Sequence, residues 1–109
     1  MRDVARERIG DSSVVPEGEV RVVTCADGRQ VALCNIGGDF YAIDDLCSHD
    51  DGPLGEGTLR NGNVICPRHG AAFDPQTGKA LTLPAIRPVN TYVVTVEDGD
   101  VYIDCESSA

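Results

Sequence analysis

The sequence predicts an all-β fold, a sandwich or small barrel of short antiparallel strands. Four stretches carry hairpin-turn chemistry: Ala26-Asp27-Gly28-Arg29, Gly37-Gly38, Arg60-Asn61-Gly62-Asn63 and Glu97-Asp98-Gly99-Asp100. Their central residues tolerate positive φ, which a tight hairpin turn requires. Between and around them lie short β-rich runs at 19–25, 30–36, 39–44, 63–66, 90–96 and 101–104. Twelve glycines and six prolines interrupt any long helical period.

Taken in order, residues 1–14 read MRDVARERIGDSSV, with no apolar core of the kind an export signal needs. Val20 and Val22 alternate with Arg21, and Val31 and Leu33 alternate with polar or small neighbours, the pattern of half-buried strands. Five cysteines are an odd count, and no export signal precedes them. Cys25, Cys34 and Cys105, which fall in strand-like runs, therefore read as small buried hydrophobes rather than as a disulfide framework. Two stretches break the meander, 46–57 and 67–79, loops of about a dozen residues, a length uncommon unless functional. They flank the hairpin turn at Asn61-Gly62, which should bring their bases together. A third irregular stretch, LPAIRP at 83–88, follows, and residues 106–109 read as a loose tail. The whole chain, 1–109, reads as one domain.

Charge narrows the partners. Eighteen acidic against nine basic residues give a net charge of −9. Nucleic acid calls for a basic footprint and an anionic membrane surface calls for the same, so neither is expected, whereas a protein with a basic docking face is suited. No window approaches about 18 consecutive apolar residues, so no membrane span is expected and the cytoplasm is the default compartment.

The chain has two histidines, and each follows closely on a cysteine: Cys47-x-His49, then sixteen residues, then Cys66-x-x-His69. Two thiolates and two imidazoles can close a tetrahedral zinc site, or divide between the unlike irons of a binuclear cluster. Structural zinc sites more often take their pairs like with like, whereas each loop here offers one sulfur and one nitrogen. A Cys–His nucleophile at Cys66 and His69 would leave the second pair without a role.

Cys47-Ser48-His49 followed by Cys66-Pro67-Arg68-His69-Gly70 resembles the Rieske signature. Residues 40–85 resemble the cluster-binding region of the small Rieske ferredoxins of bacterial ring-hydroxylating oxygenases. The resemblance covers nearly the whole chain. It implies an antiparallel Rieske β-sandwich with a small loop-built cluster-binding subdomain at about 45–88, and one Rieske 2Fe–2S cluster. It also implies that Cys47 and Cys66 hold the inner iron and His49 and His69 the outer one. The implied role is a one-electron carrier without catalytic residues of its own, passing electrons from a flavin-dependent reductase to a terminal oxygenase. A monomer is expected.

Departures from related classes refine this. High-potential Rieske proteins carry an extra cysteine in each loop, where this chain has Gly52 and Arg68, and a serine and a tyrosine where it has Ala71 and Phe73. Without those hydroxyl donors a low potential is implied. An oxygenase's mononuclear iron needs two further histidines, and the inventory has none. The stretch 70–80 has the wrong spacing for a phosphate loop. The remaining readings are a Rieske subunit of another redox system, such as a nitrite reductase small subunit or an iron–sulfur assembly accessory, and a zinc-stabilised binding module. Asp44, Asp45, Asp50, Asp51 and Glu56 read as steering charges or a solvated rim. Phe40, Leu54, Phe73, Leu83, Pro84 and Pro88 read as shields of the centre, with ordinary core packing equally open for the two phenylalanines.

Overall fold

The computed structural model describes residues 6–45, 53–67, 70–81 and 88–105. Among these, ten strands follow one another: β1 (Arg6–Asp11), β2 (Val20–Thr24), β3 (Gln30–Ile36), β4 (Asp39–Asp44), β5 (Thr58–Arg60), β6 (Asn63–Ile65), β7 (Ala72–Phe73), β8 (Thr91–Tyr92), β9 (Val94–Glu97) and β10 (Asp100–Asp104). A single 3-10 turn at Leu54–Glu56 precedes β5. The strands form three antiparallel sheets, in the orders β1-β10-β9, β2-β3-β4-β8 and β5-β6-β7. No helix among the described residues is long and apolar enough to cross a membrane.

Turn chemistry sets the registers. Arg60 pairs with Asn63 and Glu97 with Asp100, leaving two-residue loops whose members all have positive φ: Asn61 54°, Gly62 78°, Asp98 52° and Gly99 80°. These are type I′ turns, whose twist matches that of the strands they join. Ile36 pairs with Asp39 around Gly37-Gly38 in the same way. Strands β3 and β4 coincide with the expected runs residue for residue, and β2 and β10 differ by one residue at an end or at both. The run 90–96 splits at Val93. Its first part, β8, pairs with β4, and its second, β9, pairs with β10, so the chain passes from one sheet to another there.

Three strands lie outside the expected runs. β1, with the sequence RERIGD, alternates too weakly to stand out, yet it pairs with β10 at a sheet edge. β5 and β7 are only three and two residues long, and β7 falls inside the stretch 67–79 expected to be loop.

The core is double. From β3, Val31 and Leu33 point into a cluster with Val15, Ala42, Val101 and Ile103, between the central sheet and the β1-β10-β9 sheet. The alternate residues Ala32 and Cys34 point the other way, into a cluster with Ile43, Leu54, Val64, Cys66 and Phe73. Residues 31–35 of β3 are therefore all buried, and the half-buried reading is corrected: the third sheet covers the face expected to be open. Asn35 tolerates this because its side chain donates to the Val15 carbonyl at 2.9 Å and accepts from the Gly38 N–H at 2.9 Å.

A second correction concerns the cysteines. Cys34 is the buried hydrophobe expected, but Cys25 and Cys105 form a disulfide, with Cα atoms 6.3 Å apart. An odd cysteine count hides this, because the partners lie 80 residues apart and only the packed sheets bring them together. Crosslinking a loop of that length removes about 4.5 kcal/mol of chain entropy from the unfolded state. Replacing both cysteines by serine is therefore expected to lower the unfolding free energy by a few kcal/mol, measured by denaturant titration. An unchanged midpoint would mean that the crosslink is absent in solution.

Candidate metal centre

Of the four residues singled out as ligands, Cys66 lies within the described residues. Cys47, His49 and His69 lie outside them, as do Asp50, Asp51, Gly52, Arg68, Leu83 and Pro84.

Cys66 follows β6 directly. Its N–H donates to the Ala71 carbonyl at 2.8 Å, and its own carbonyl accepts the Gly70 N–H at 3.1 Å. Gly70, at φ 75°, supplies the left-handed residue that closes this turn. The Cys66 side chain is buried beside Leu54, Val64, Ala71 and Phe73. Among the described residues the cysteines outside a disulfide are Cys34 and Cys66. They differ in setting. Cys34 sits mid-strand, where burial pushes its thiol up to about 12, and it donates to the Tyr41 carbonyl at 3.5 Å. It stays protonated and inert. Cys66 stands where a strand opens into a loop.

The base of the first loop is held by Asp45. Its carboxylate accepts the Gly55 N–H at 2.6 Å, tying the chain on either side of residues 46–52. Asp45 is only 6% exposed, so its reading as a steering charge is corrected: it is a buried anchor. Burial pushes its carboxyl up, the Gly55 N–H pulls it partly back, and Glu56 adds to the rise. Asp44 is likewise engaged, accepting from the Tyr92 hydroxyl and from the Asn90 N–H. Burial, reinforced by Asp44, pushes the Tyr92 hydroxyl up to about 12. Glu56 alone of the described acids in that set is exposed.

Two glycines permit close approach. A Cβ at Gly55 would lie 2.4 Å from Val22 Cγ2 and 2.9 Å from the Val22 backbone nitrogen; one at Gly57 would lie 2.0 Å from the Ile65 carbonyl oxygen. The base of the first loop thus lies on β2 and against the residue preceding Cys66. The hairpin at Asn61-Gly62 brings the two loop bases together, as expected. Of the shielding residues, Leu54 and Phe73 pack with Cys66, whereas Phe40 packs in the other cluster and Pro88 is exposed. Asp45, Gly55 and Gly57 carry no motif, and only the length of the loop pointed to them.

The donor chemistry fits an iron–sulfur centre. Cys66 is a buried thiol outside any disulfide, at the point where a strand opens into a loop, and so offers a soft sulfur ligand. The sequence supplies one more thiol and two imidazoles in the adjoining loops. Ala71 and Phe73, both buried beside Cys66, bring no hydroxyl toward it. An open cleft of about 500 Å³ is lined, among the described residues, by Gly28, Arg29, Gln30, Asp44, Asp45, Asn90 and Tyr92, none of them a thiol or imidazole.

The family model of the Rieske [2Fe-2S] domain matches residues 6–93. The 3-phenylpropionate/cinnamic acid dioxygenase ferredoxin subunit of Escherichia coli (strain K12) is 51% identical over 92 residues, covering 83% of this chain and 84% of that protein. Sphingomonas yanoikuyae B1 ferredoxin superposes with a TM-score of 0.82 at 36% identity, covering 89% of this chain and 95% of that one. A chain of the complex of reduced oxygenase and oxidized ferredoxin in carbazole 1,9a-dioxygenase gives a TM-score of 0.89 at 31% identity, covering 96% and 97%.

If Asp45 anchors the first loop, Asp45→Ala leaves the buried Gly55 N–H without an acceptor and is expected to cost about 1–3 kcal/mol. Asp45→Asn, which keeps an acceptor oxygen, should recover most of that loss. Equal denaturation midpoints for Asp45→Ala and the unaltered protein would remove the anchoring role.

Proposed function

The chain belongs to the Rieske 2Fe–2S domain family, and on that premise we propose that it is the ferredoxin of a ring-hydroxylating oxygenase system, held in the cytoplasm as a monomer. One observation carries this reading. The chain matches, nearly end to end and at TM-score 0.89, a chain from a complex of reduced oxygenase with oxidized ferredoxin. The identity of 51% to a dioxygenase ferredoxin subunit supports it independently.

The cluster supplies reversible one-electron exchange and nothing else. Cys47 and Cys66 are its thiolate ligands and His49 and His69 its imidazole ligands, all four in the unit of about 45–88 that includes the β5-β6-β7 sheet. Leu54 and Phe73 keep water from the Cys66 side, and Asp45 holds the neighbouring loop base. With both histidines so engaged, no imidazole is left to hold a catalytic mononuclear iron. The substrate is therefore the oxygenase's to oxidise, and a flavin-dependent reductase is the electron source.

Aerobically purified protein should contain about two irons and two acid-labile sulfides per chain. His49→Ala and His69→Ala should each lose the cluster or hold it loosely, while Cys34→Ser leaves the visible spectrum intact. Stoichiometric zinc without sulfide in anaerobically handled protein would overturn the proposal.

The potential should lie near the lower end of the Rieske range, about −150 mV rather than about +300 mV, because Ala71 and Phe73 donate no hydrogen bonds. The paired change Ala71→Ser with Phe73→Tyr should raise it. Voltammetry placing the unaltered protein above about +100 mV would contradict the low-potential assignment.

A carrier must release each partner quickly, and a single shared docking end achieves this with a small interface. Reductase and oxygenase should then compete for the end bearing His49 and His69, and both electron-transfer rates should fall as salt rises. Simultaneous binding of both partners, or rates indifferent to ionic strength, would show that the docking end is not shared.

A further inference from the structure

Away from that centre a second set of soft ligands converges. The sulfurs of Cys25 and Cys105 and a carboxylate oxygen of Glu7 all lie within 4.8 Å of one another. Three separate backbone segments hold them. The Cys25 N–H donates to the Arg29 carbonyl at 2.8 Å and its carbonyl accepts the Gly28 N–H at 2.9 Å, framing the turn that follows β2. Glu7 stands on β1 opposite Ile103 of β10, and its carboxylate accepts the Ala26 N–H at 2.8 Å. Cys105 follows β10, and its carbonyl accepts the Arg29 guanidinium at 2.6 Å. Both cysteines are buried and Glu7 is half-buried, so the set sits at the edge of the core. Beyond capping the turn at Ala26, this carboxylate stands where a cation on the two sulfurs would need an oxygen ligand.

We propose that Glu7, Cys25 and Cys105 form a redox-gated metal site that is a disulfide when oxidised and holds a zinc(II)-class cation when reduced. Gating is thiol–disulfide exchange: a dithiol reductant delivers two electrons and two protons, the Cys25–Cys105 bond breaks to two thiols, and the dithiol leaves as its own disulfide. Metal binding then releases both thiol protons, leaving two thiolates and one carboxylate, with water as fourth ligand. Zinc–sulfur bonds of about 2.3 Å and zinc–oxygen bonds of about 2.0–2.2 Å put tetrahedral ligand atoms about 3.5–3.8 Å apart, against the 4.8 Å within which these three already lie. The filled site carries one net negative charge, and the adjacent Arg29 guanidinium offsets it. A thiol-buffered compartment keeps such a pair reduced, so the metal would take over the bracing of the β1-β10-β9 sheet against the turn after β2.

The test uses the cluster-loaded full chain. It is reduced anaerobically with a phosphine, desalted, incubated with zinc and desalted again, and zinc, iron and thiols are then counted. Reduced protein is expected to retain about one zinc per chain with its iron unchanged, and unreduced protein none. The Cys25→Ser/Cys105→Ser double variant should retain none after the same treatment. Glu7→Gln, which leaves the disulfide in place, should weaken zinc binding about tenfold or more in competition with a chromophoric chelator. Four results would each overturn the site: no zinc in the reduced chain, equal zinc in the double variant, zinc gained only as iron is lost, or unchanged affinity in Glu7→Gln. The comparison of reduced with unreduced chain stands even if the double variant does not fold.

Discussion

The constraint on which the rest depends is the burial of the central β2-β3-β4-β8 sheet on both faces. Strand β3 sends Val31 and Leu33 to one side and Ala32 and Cys34 to the other, and all four are fully buried. A sheet in that position needs a cover on each side. The β1-β10-β9 sheet is one cover. The other is assembled from the segment between β4 and β8, which contributes Leu54, Val64, Cys66 and Phe73. The unit that carries Cys66 is thus a structural layer, and its apolar packing fixes the bases from which the two loops leave.

That arrangement explains why small residues and one carboxylate matter at the loop bases. Gly55 lets the backbone settle onto β2, where any side chain would strike Val22, and Gly57 lets it pass the Ile65 carbonyl. Asp45 then accepts the Gly55 N–H from within the core. A buried carboxylate is costly, and the hydrogen bond offsets part of the cost. The result is a fixed base where the first loop leaves and rejoins the core, against the residue preceding Cys66.

The described cysteines show how environment decides chemistry. Cys34, mid-strand with its thiol raised by burial, is inert. Cys66, equally buried, stands instead at the mouth of a loop, outside any disulfide, and is the described member of the proposed ligand set. Cys25 and Cys105 meet beside a carboxylate at the edge of the sandwich core. Residue type alone separates none of these fates; position on a strand or at its end does.

The sequence by itself determined the features that are local. Positive-φ turn residues gave the hairpins and their registers, since Asn61-Gly62 and Asp98-Gly99 admit a two-residue turn of only one kind of twist. The cysteine–histidine pairs carried the resemblance that implied the family and the cluster type, because the order and spacing of residues are properties of the chain. What only the tertiary structure decided is everything that depends on residues distant in sequence. β3 reads as a half-buried strand because the layer covering its second face is built 20 to 40 residues later. β1, β5 and β7 are too short or too weakly patterned to announce themselves, and exist because a neighbouring strand supplies their hydrogen bonds. Asp45 reads as one more surface acid in a chain rich in them, and becomes an anchor only when Gly55 arrives opposite. The Cys25–Cys105 pair was hidden for the same reason: proximity across 80 residues is a product of packing two sheets, and no local pattern encodes it.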